Sequence, residues 1–301
     1  MASDQARLTL DKIPSMQELV SMKGKTAIVS GGTYGLGYNV AYRYAEAGAN
    51  VIITGRKEEK AKQAVADFKE FGYEIDYLIG DVTDVKFCQE VVDYAEKTFG
   101  KVDILANIAG KQDLVCFLDA GEDAYDKMMD TNVKGVFFMS QAVARSMVKN
   151  QVEGYIVTAG SNACMGKDFT LGMMAHYAAS KGAVYSLTIA MGRELAQHNI
   201  HVNCVGCGQM KTSGQDLCGP AMIELYGDRM ECAGDKFPKM PDPVSETPDD
   251  MARAFFFFST PMAKFCCGDT LYVDGGSRFC STVPNVTMSN FYHDIFGDYD
   301  D

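Results

Sequence analysis

The feature that most restricts the fold is a rhythm: from Lys25 onward, short β-branched runs alternate with longer amphipathic stretches. Residues 26–30 (TAIVS) predict a buried strand, followed by a glycine-rich turn and a helix over 36–47. Further strands are expected at 51–54, 75–79, 103–106, 154–158, 200–205 and 270–273. Helices are expected between them at 57–71, 85–99, 123–149 and 174–197. Strands separated by helix-length crossovers pair in parallel, and a parallel sheet needs helices on both faces. Right-handed crossovers then leave the doubly wound, Rossmann-type α/β sheet of about seven strands as the default arrangement. Without internal repeats or a linker, the reading is one domain over 24–276, an N-terminal extension over 1–23 and a tail over 277–301.

Two stretches break the rhythm. Residues 209–246 carry Gly, Pro and Met without a clean period and follow the sixth strand. That places them over the carboxyl edge of an open sheet, where ligands bind, and predicts a substrate loop. The tail sets Phe279, Phe291, Tyr292, Phe296 and Tyr299 among acids. It is too aromatic for a solvated linker and is expected to pack on the body or a neighbouring subunit.

A net charge of −12 argues against nucleic-acid and anionic-membrane partners, both of which demand a basic face. The charge runs, 57–62 and Asp249 with Asp250, are read as solvated helix surface. Residues 1–22 lack the apolar core of a secretion signal, and the apolar run 254–258 is too short to cross a bilayer. A cytoplasmic protein is expected, with its ten cysteines as reduced thiols. Cys204 and Cys207 have the spacing of half a zinc site, but no complementary half exists, so no metal is expected.

The turn Ser30-Gly31-Gly32-Thr33-Tyr34-Gly35-Leu36-Gly37 sits between the first strand and the first helix. Glycines there permit a tight turn and close backbone approach to a pyrophosphate, with the helix N-terminus facing the phosphates. In this position the turn points to a nicotinamide dinucleotide. An NAD-type site places a carboxylate at the end of the second strand, whereas Thr54-Gly55-Arg56 has none before Glu58. Arg56 suits a 2′-phosphate, so NADP(H) is the preferred reading with NAD(H) as the alternative. An arginine that simply faces solvent is the bland reading of the same position.

Tyr177-Ala-Ala-Ser-Lys181 puts a phenol and an ammonium one helical turn apart on one face. A free tyrosine titrates at about 10, and a fixed cation nearby favours the phenolate. This pair is the candidate acid/base of a hydride-transfer enzyme.

These motifs resemble the short-chain dehydrogenase/reductase superfamily over about residues 24–276. Ser30 to Gly37 is similar to its TGxxxGxG turn, with Ser for Thr, and Asp81-Val82 to its adenine-contacting acid. Asn107-Ile-Ala109-Gly110 is similar to NNAG, with Ile108 replacing the second Asn. Asn132 resembles the helix asparagine that anchors a water, Tyr177 and Lys181 the YxxxK pair, and Val273-Asp-Gly-Gly276 the last strand. The resemblance implies catalytic roles for Asn132, Ser161, Tyr177 and Lys181. It implies cofactor contacts from Gly31, Thr33, Tyr34, Gly35, Leu36, Gly37, Asp81, Val82, Asn107, Ala109, Gly110, Tyr177, Lys181, Gly208 and Thr212, beside Arg56. It also implies a homotetramer, or a homodimer, built from the long helices over 123–149 and 174–197.

Two departures stand out. The family serine usually lies some thirteen residues before the tyrosine, which is Cys164 here. The strand-then-serine context of residues 156–161 selects Ser161 instead, with about three residues inserted after it. A thiol is also a weak donor for a substrate oxygen. The family's Pro-Gly after the sixth strand is Cys207-Gly208, with Thr212 in place of the downstream threonine.

The chemistry implied is hydride transfer between NADP(H) and a secondary alcohol or ketone. Met165, Phe169, Met173, Met174, Met210 and Met222 are expected near the pocket. Methionines fill irregular apolar space, which suits an alicyclic ketone such as a steroid or bile acid, with a sugar or polyol as the alternative. A nucleotide-binding sensor without turnover is the reading from another class, and the retained Tyr177 and Lys181 argue against it.

Overall fold

All seven strands of the sheet are parallel, in the order β3-β2-β1-β4-β5-β6-β7. They are β1 Thr26–Ser30, β2 Asn50–Gly55, β3 Ile75–Ile79, β4 Ile104–Asn107, β5 Gly154–Ala159, β6 Ile200–Cys207 and β7 Thr270–Val273. The computed structural model describes residues 13–113, 115–165, 174–208, 210 and 247–275. Its helices are α1 Met16–Val20, α2 Gly35–Glu46, α3 Glu58–Glu70, α4 Val85–Phe99, α5 Glu122–Met129, α6 Gly135–Lys149, α7 Ala175–Leu195 and α8 Pro248–Phe258. The strand order reverses between β1 and β4, the switch point at which doubly wound sheets open a crevice at their carboxyl ends.

Every position of β1 is buried because both sheet faces are covered. Ala27 and Val29 face a core layer with Val40 and Tyr44 of α2, Phe68 of α3 and Phe255 of α8. Ile28 faces the opposite layer, with Val91 of α4 and Met139, Val143 and Met147 of α6. The alternation is the two-residue period of a strand read against two helical layers. Met22, ahead of β1, belongs to the first layer as well.

Three local features differ from expectation. The helix expected over 123–149 is interrupted by a π-helical turn at Asp130–Lys134, which separates α5 from α6. In the sequence, helix α8 shows only as surface charges and an apolar run. It starts at a capping box in which Thr247 accepts from the Asp250 N–H and the Asp250 carboxylate accepts from Thr247 N–H. Asp249 is a half-buried partner of Arg43, with guanidinium bonds of 2.8 Å and 2.8 Å tying α8 to α2, and so not merely solvated surface. The proposed substrate loop, apart from Met210, and the C-terminal tail lie outside the described residues.

Candidate active site

The glycine turn is shaped by contacts that only glycine allows. Gly31 has φ +71°, and a Cβ there would stand 2.8 Å from the backbone of Ala109. A Cβ on Gly37 would stand 2.2 Å from the Gly31 carbonyl oxygen, and one on Gly32 would meet Ile53. Ser30, closing β1, accepts from the N–H groups of Ile108 at 3.0 Å and Ala109 at 3.2 Å, holding the loop after β4 against the turn. Tyr34 caps α2 without a side-chain bond to its first turn. A bare cradle over a helix N-terminus is what a dinucleotide pyrophosphate requires, so the residues present fit that group.

Around the cradle, Leu36 and Thr33 are buried, and the Thr33 methyl lies where a Cβ on Gly55 would fall. Asp81 accepts from Thr83 N–H at 3.0 Å and lies 3.8 Å from the exposed guanidinium of Arg56. Val82 packs over Gly135. Asn107 turns its amide inward to Ser140 at 2.8 Å, so its side chain is engaged within the core. Gly110 sits beside Asn132 and Lys181, and Gly208 donates to Val273 O at 2.9 Å. Thr212 lies outside the described residues, as do Phe169, Met173, Met222 and the Met165 side chain. Met174 is buried, while Met210 is half-buried against the first core layer.

The YxxxK pair lies at the start of α7, where the helix crosses the carboxyl end of β5. The Lys181 ammonium is buried and donates to Ala159 O at 2.8 Å, and it stands 5.7 Å from the Tyr177 ring centroid. Burial pushes the Lys181 pKa below its ordinary value, against the opposing pull of the Cys207, Cys204 and Cys164 thiols. Burial also pushes the Cys204 thiol up to about 11.

Asn132, carried inward by the π-turn, accepts from Lys111 N–H at 2.7 Å. Its amide donates to Lys111 O at 2.9 Å and to Ser180 Oγ at 3.0 Å. Ser180 in turn donates to the carbonyl of Tyr177 at 2.7 Å. Ser161 is buried one residue beyond Gly160 at the end of β5 and accepts from Ala163 N–H at 3.1 Å. The Cys164 sulfur lies 3.2 Å from the Tyr272 hydroxyl of β7. The structure thus brings Asn132, Tyr177, Lys181 and the end of β5 to one edge of the sheet.

Sequence reading missed one group. His176, adjacent to Tyr177, is buried with Nε2 2.9 Å from Asp113 Oδ1, and Lys111 Nζ is 2.6 Å from Asp113 Oδ2. The only signal was a histidine beside the motif tyrosine in a chain with four histidines. Among the described residues, no group of three or more His, Cys, Asp or Glu side chains is arranged to hold a metal.

A family model described as short chain dehydrogenase matches residues 25–219, and the chain belongs to that family. It is an oxidoreductase acting on CH–OH groups. The chain is 32% identical over 256 residues to a diacetyl reductase [(S)-acetoin forming] of Staphylococcus epidermidis, covering 84% of this chain and 98% of that one. It is 34% identical over 261 residues to a 3alpha-hydroxysteroid dehydrogenase of Mediterraneibacter gnavus (85% and 98% covered). It is 32% identical over 272 residues to a 5-keto-D-gluconate 5-reductase of Escherichia coli (87% and 98% covered). A solved 7α-hydroxysteroid dehydrogenase, complexed with NADH and 7-oxo glycochenodeoxycholic acid, superposes with a TM-score of 0.77 at 29% identity (88% and 98% covered). A gluconate 5-dehydrogenase of Burkholderia cenocepacia, in complex with NADP and tartrate, gives 0.75 at 29% (87% and 98% covered).

A buried ammonium costs stability that an apolar side chain of similar length does not. The Lys181→Met variant is therefore expected to melt at or above the wild-type temperature at pH 7 while losing turnover. Because the folded lysine releases its proton more readily than the unfolded one, the penalty is full below its depressed pKa. It shrinks as pH climbs towards the ordinary 10.5. Wild type should gain on the variant over that alkaline window in paired melting curves. A variant that melts far lower at pH 7 would show Lys181 to be mainly structural.

Proposed function

We propose that the chain interconverts a secondary alcohol and a ketone with NADP(H), using Tyr177 as acid/base. One observation carries this reading: a buried lysine fixed to the end of β5, one helical turn from Tyr177 and beside a cradle only glycines can form. The bound nicotinamide supplies or accepts the hydride. Gly31, Thr33, Tyr34, Gly35, Leu36 and Gly37 would hold the pyrophosphate, Asp81 and Val82 the adenine, and Asn107, Ala109, Gly110, Gly208 and Thr212 the remainder. In reduction, Tyr177 donates its phenolic proton to the carbonyl oxygen, and the Lys181 cation favours the phenolate that remains. Ser161 orients that oxygen. Its hydroxyl accepts from Ala163 N–H and donates only at 3.4 Å to Asn162 Oδ1, a long bond that a substrate oxygen can replace. Cys164, engaged with Tyr272, is the poorer donor. Asn132 joins the site to a water relay.

For the substrate we favour a bulky alicyclic ketone of the steroid or bile-acid class. The buried Met174 beside Tyr177, together with the two hydroxysteroid dehydrogenases above, supports it. The keto-gluconate reductase and gluconate dehydrogenase favour a sugar acid as the second reading. The described cysteines are all free thiols, which suits the reducing cytoplasm, and no described helix is long and apolar enough to cross a membrane.

A panel of a 3-keto bile acid, 5-keto-D-gluconate and diacetyl, followed by nicotinamide absorbance, decides between these classes. With the fastest of them, Tyr177→Phe should lower kcat by about 10²–10⁴-fold while cofactor still binds. Near-normal turnover removes Tyr177 from the chemistry. Ser161→Ala should be crippled more than Cys164→Ala, and the reverse order would assign the orienting role to Cys164.

The cofactor preference rests on Arg56, whose exposed guanidinium has Asp81 at 3.8 Å, and on the missing carboxylate after β2. NADPH should bind more tightly than NADH, and Arg56→Ala should shrink that preference by about ten- to a hundredfold, the worth of a charge-assisted phosphate contact. Equal or tighter NADH binding by the wild type, in a fluorescence titration, contradicts the preference.

We also place a homotetramer on α6 and α7, which expose Phe137 and Val148, and Tyr185 and Ile189, respectively. Light scattering should give the mass of four chains. A two-chain mass leaves one of these faces uncovered, and a monomer rules the assembly out.

A further inference from the structure

We propose that Asp113 and His176 form a clamp that positions Tyr177, making His176 a positioning residue for the acid/base step. The inference rests on the reading of Tyr177 given above. The start of α7 needs such a device. Its N-cap, Met174, has no side-chain oxygen to cap the first turn, so within the helix the turn that carries Tyr177 is closed by the backbone bond from Ala178 N–H to Met174 O but has no side-chain cap. Lys181, one turn deeper, is fixed to β5, and Ser180 is fixed to Asn132. Ahead of Tyr177, the described tethers come from the loop after β4: His176 Nε2 to Asp113 Oδ1 at 2.9 Å and, as a weaker bond, Gln112 Nε2 to the Met174 sulfur at 3.9 Å.

The His176 tether closes a circuit. Asn132 holds both backbone groups of Lys111, at 2.7 Å and 2.9 Å. The Lys111 side chain holds one oxygen of Asp113 at 2.6 Å, and the other oxygen meets His176. The chain passes from His176 to Tyr177, whose carbonyl accepts from Ser180, and Ser180 returns to Asn132. Tyr177 is thereby held from the loop after β4 on one side and from the π-turn on the other. Burial raises the Asp113 pKa, but the bonds from Lys111 and His176 outweigh it, so the group stays a carboxylate. A carboxylate only accepts, which fixes the hydrogen on His176 Nε2 and makes the bond charge-assisted. The imidazole is almost fully buried, so water competes little for it.

The role is orientation, because Nε2 faces Asp113 and not the reacting oxygen. Misplacing a catalytic group by about 1 Å costs on the order of 10²-fold in rate. His176→Phe keeps a ring in the slot and removes the bond. His176→Gln offers an amide N–H to Asp113 in its place. In the full chain, with NADPH and the fastest ketone of the panel, His176→Phe is expected to lower kcat by about tenfold or more. The NADPH dissociation constant should stay within about twofold, since the cradle is untouched, and His176→Gln should recover most of the loss. Asp113→Asn should lower kcat alone but add nothing in the His176→Phe background.

Unchanged kcat in His176→Phe, equal impairment of Phe and Gln, or NADPH affinity falling in step with kcat would each overturn the clamp. If His176→Phe does not fold, Asp113→Asn and His176→Gln decide: the first must lose kcat and the second must keep it. Tyr177→Phe is measured in parallel. If it retains turnover, the acid/base reading itself fails; if it is inactive while His176→Phe is not, only the clamp fails.

Discussion

The bond on which the site depends is the one from the buried Lys181 ammonium to the Ala159 carbonyl at 2.8 Å. It joins the last residue of a central strand to the second turn of α7 and so fixes one edge of the crevice to the sheet. A cation there is unfavourable unless its donors are used, because the surroundings are protein and not water. The neighbouring thiols of Cys164, Cys204 and Cys207 are weakly polar, and burial keeps Cys204 protonated with a pKa of about 11. They surround the charge without neutralising it. Under the proposed mechanism the field of the ammonium would therefore be available to a phenolate on Tyr177, where a carboxylate partner would cancel it.

The opposite side of the crevice is built by close approach. Gly31, Gly32 and Gly37 let β1, α2 and the loop after β4 come nearer than any Cβ permits. Ser30 locks that loop by accepting two of its N–H groups, a task for any hydroxyl, which explains why serine serves where the family has threonine. The same loop carries Gly110, Lys111 and Asp113, so the residues behind the cradle are continuous with those that reach α7. The glycine cradle and the start of α7 share one support.

This division explains what was legible in the sequence. Strands buried on both faces announce themselves as β-branched runs, and β1 lies where such a run predicts it. The glycine turn and the YxxxK pair are local patterns, so their spacing survives without tertiary context. Interactions between distant segments leave no such trace. Arg43 and Asp249 are far apart in the chain, and Asp249 looks like any surface acid until α8 docks on α2. His176 and Asp113 each look ordinary alone. The inward turn of Asn107 to Ser140 likewise depends on where α6 lies, which no neighbour of Asn107 reveals.

The π-turn shows why one of these hidden features is tolerated. A helix from Glu122 to Lys149 without interruption would use regular i to i−4 bonds throughout, and a π-turn gives up some of that geometry. What it gains is the position of Asn132. A buried primary amide is costly unless both its ends are bonded. Here the oxygen accepts from Lys111 N–H, and the nitrogen has Lys111 O and Ser180 Oγ, with the Met128 sulfur a weaker third acceptor at 3.1 Å. Two amide hydrogens cannot serve three acceptors fully, and the thioether is the one that loses least by sharing. Removing the turn would rotate Asn132 off this face and take from the partly buried Lys111 N–H and O the partners they have here. The local irregularity and the polar circuit stabilise each other, so neither is expected to persist without the other.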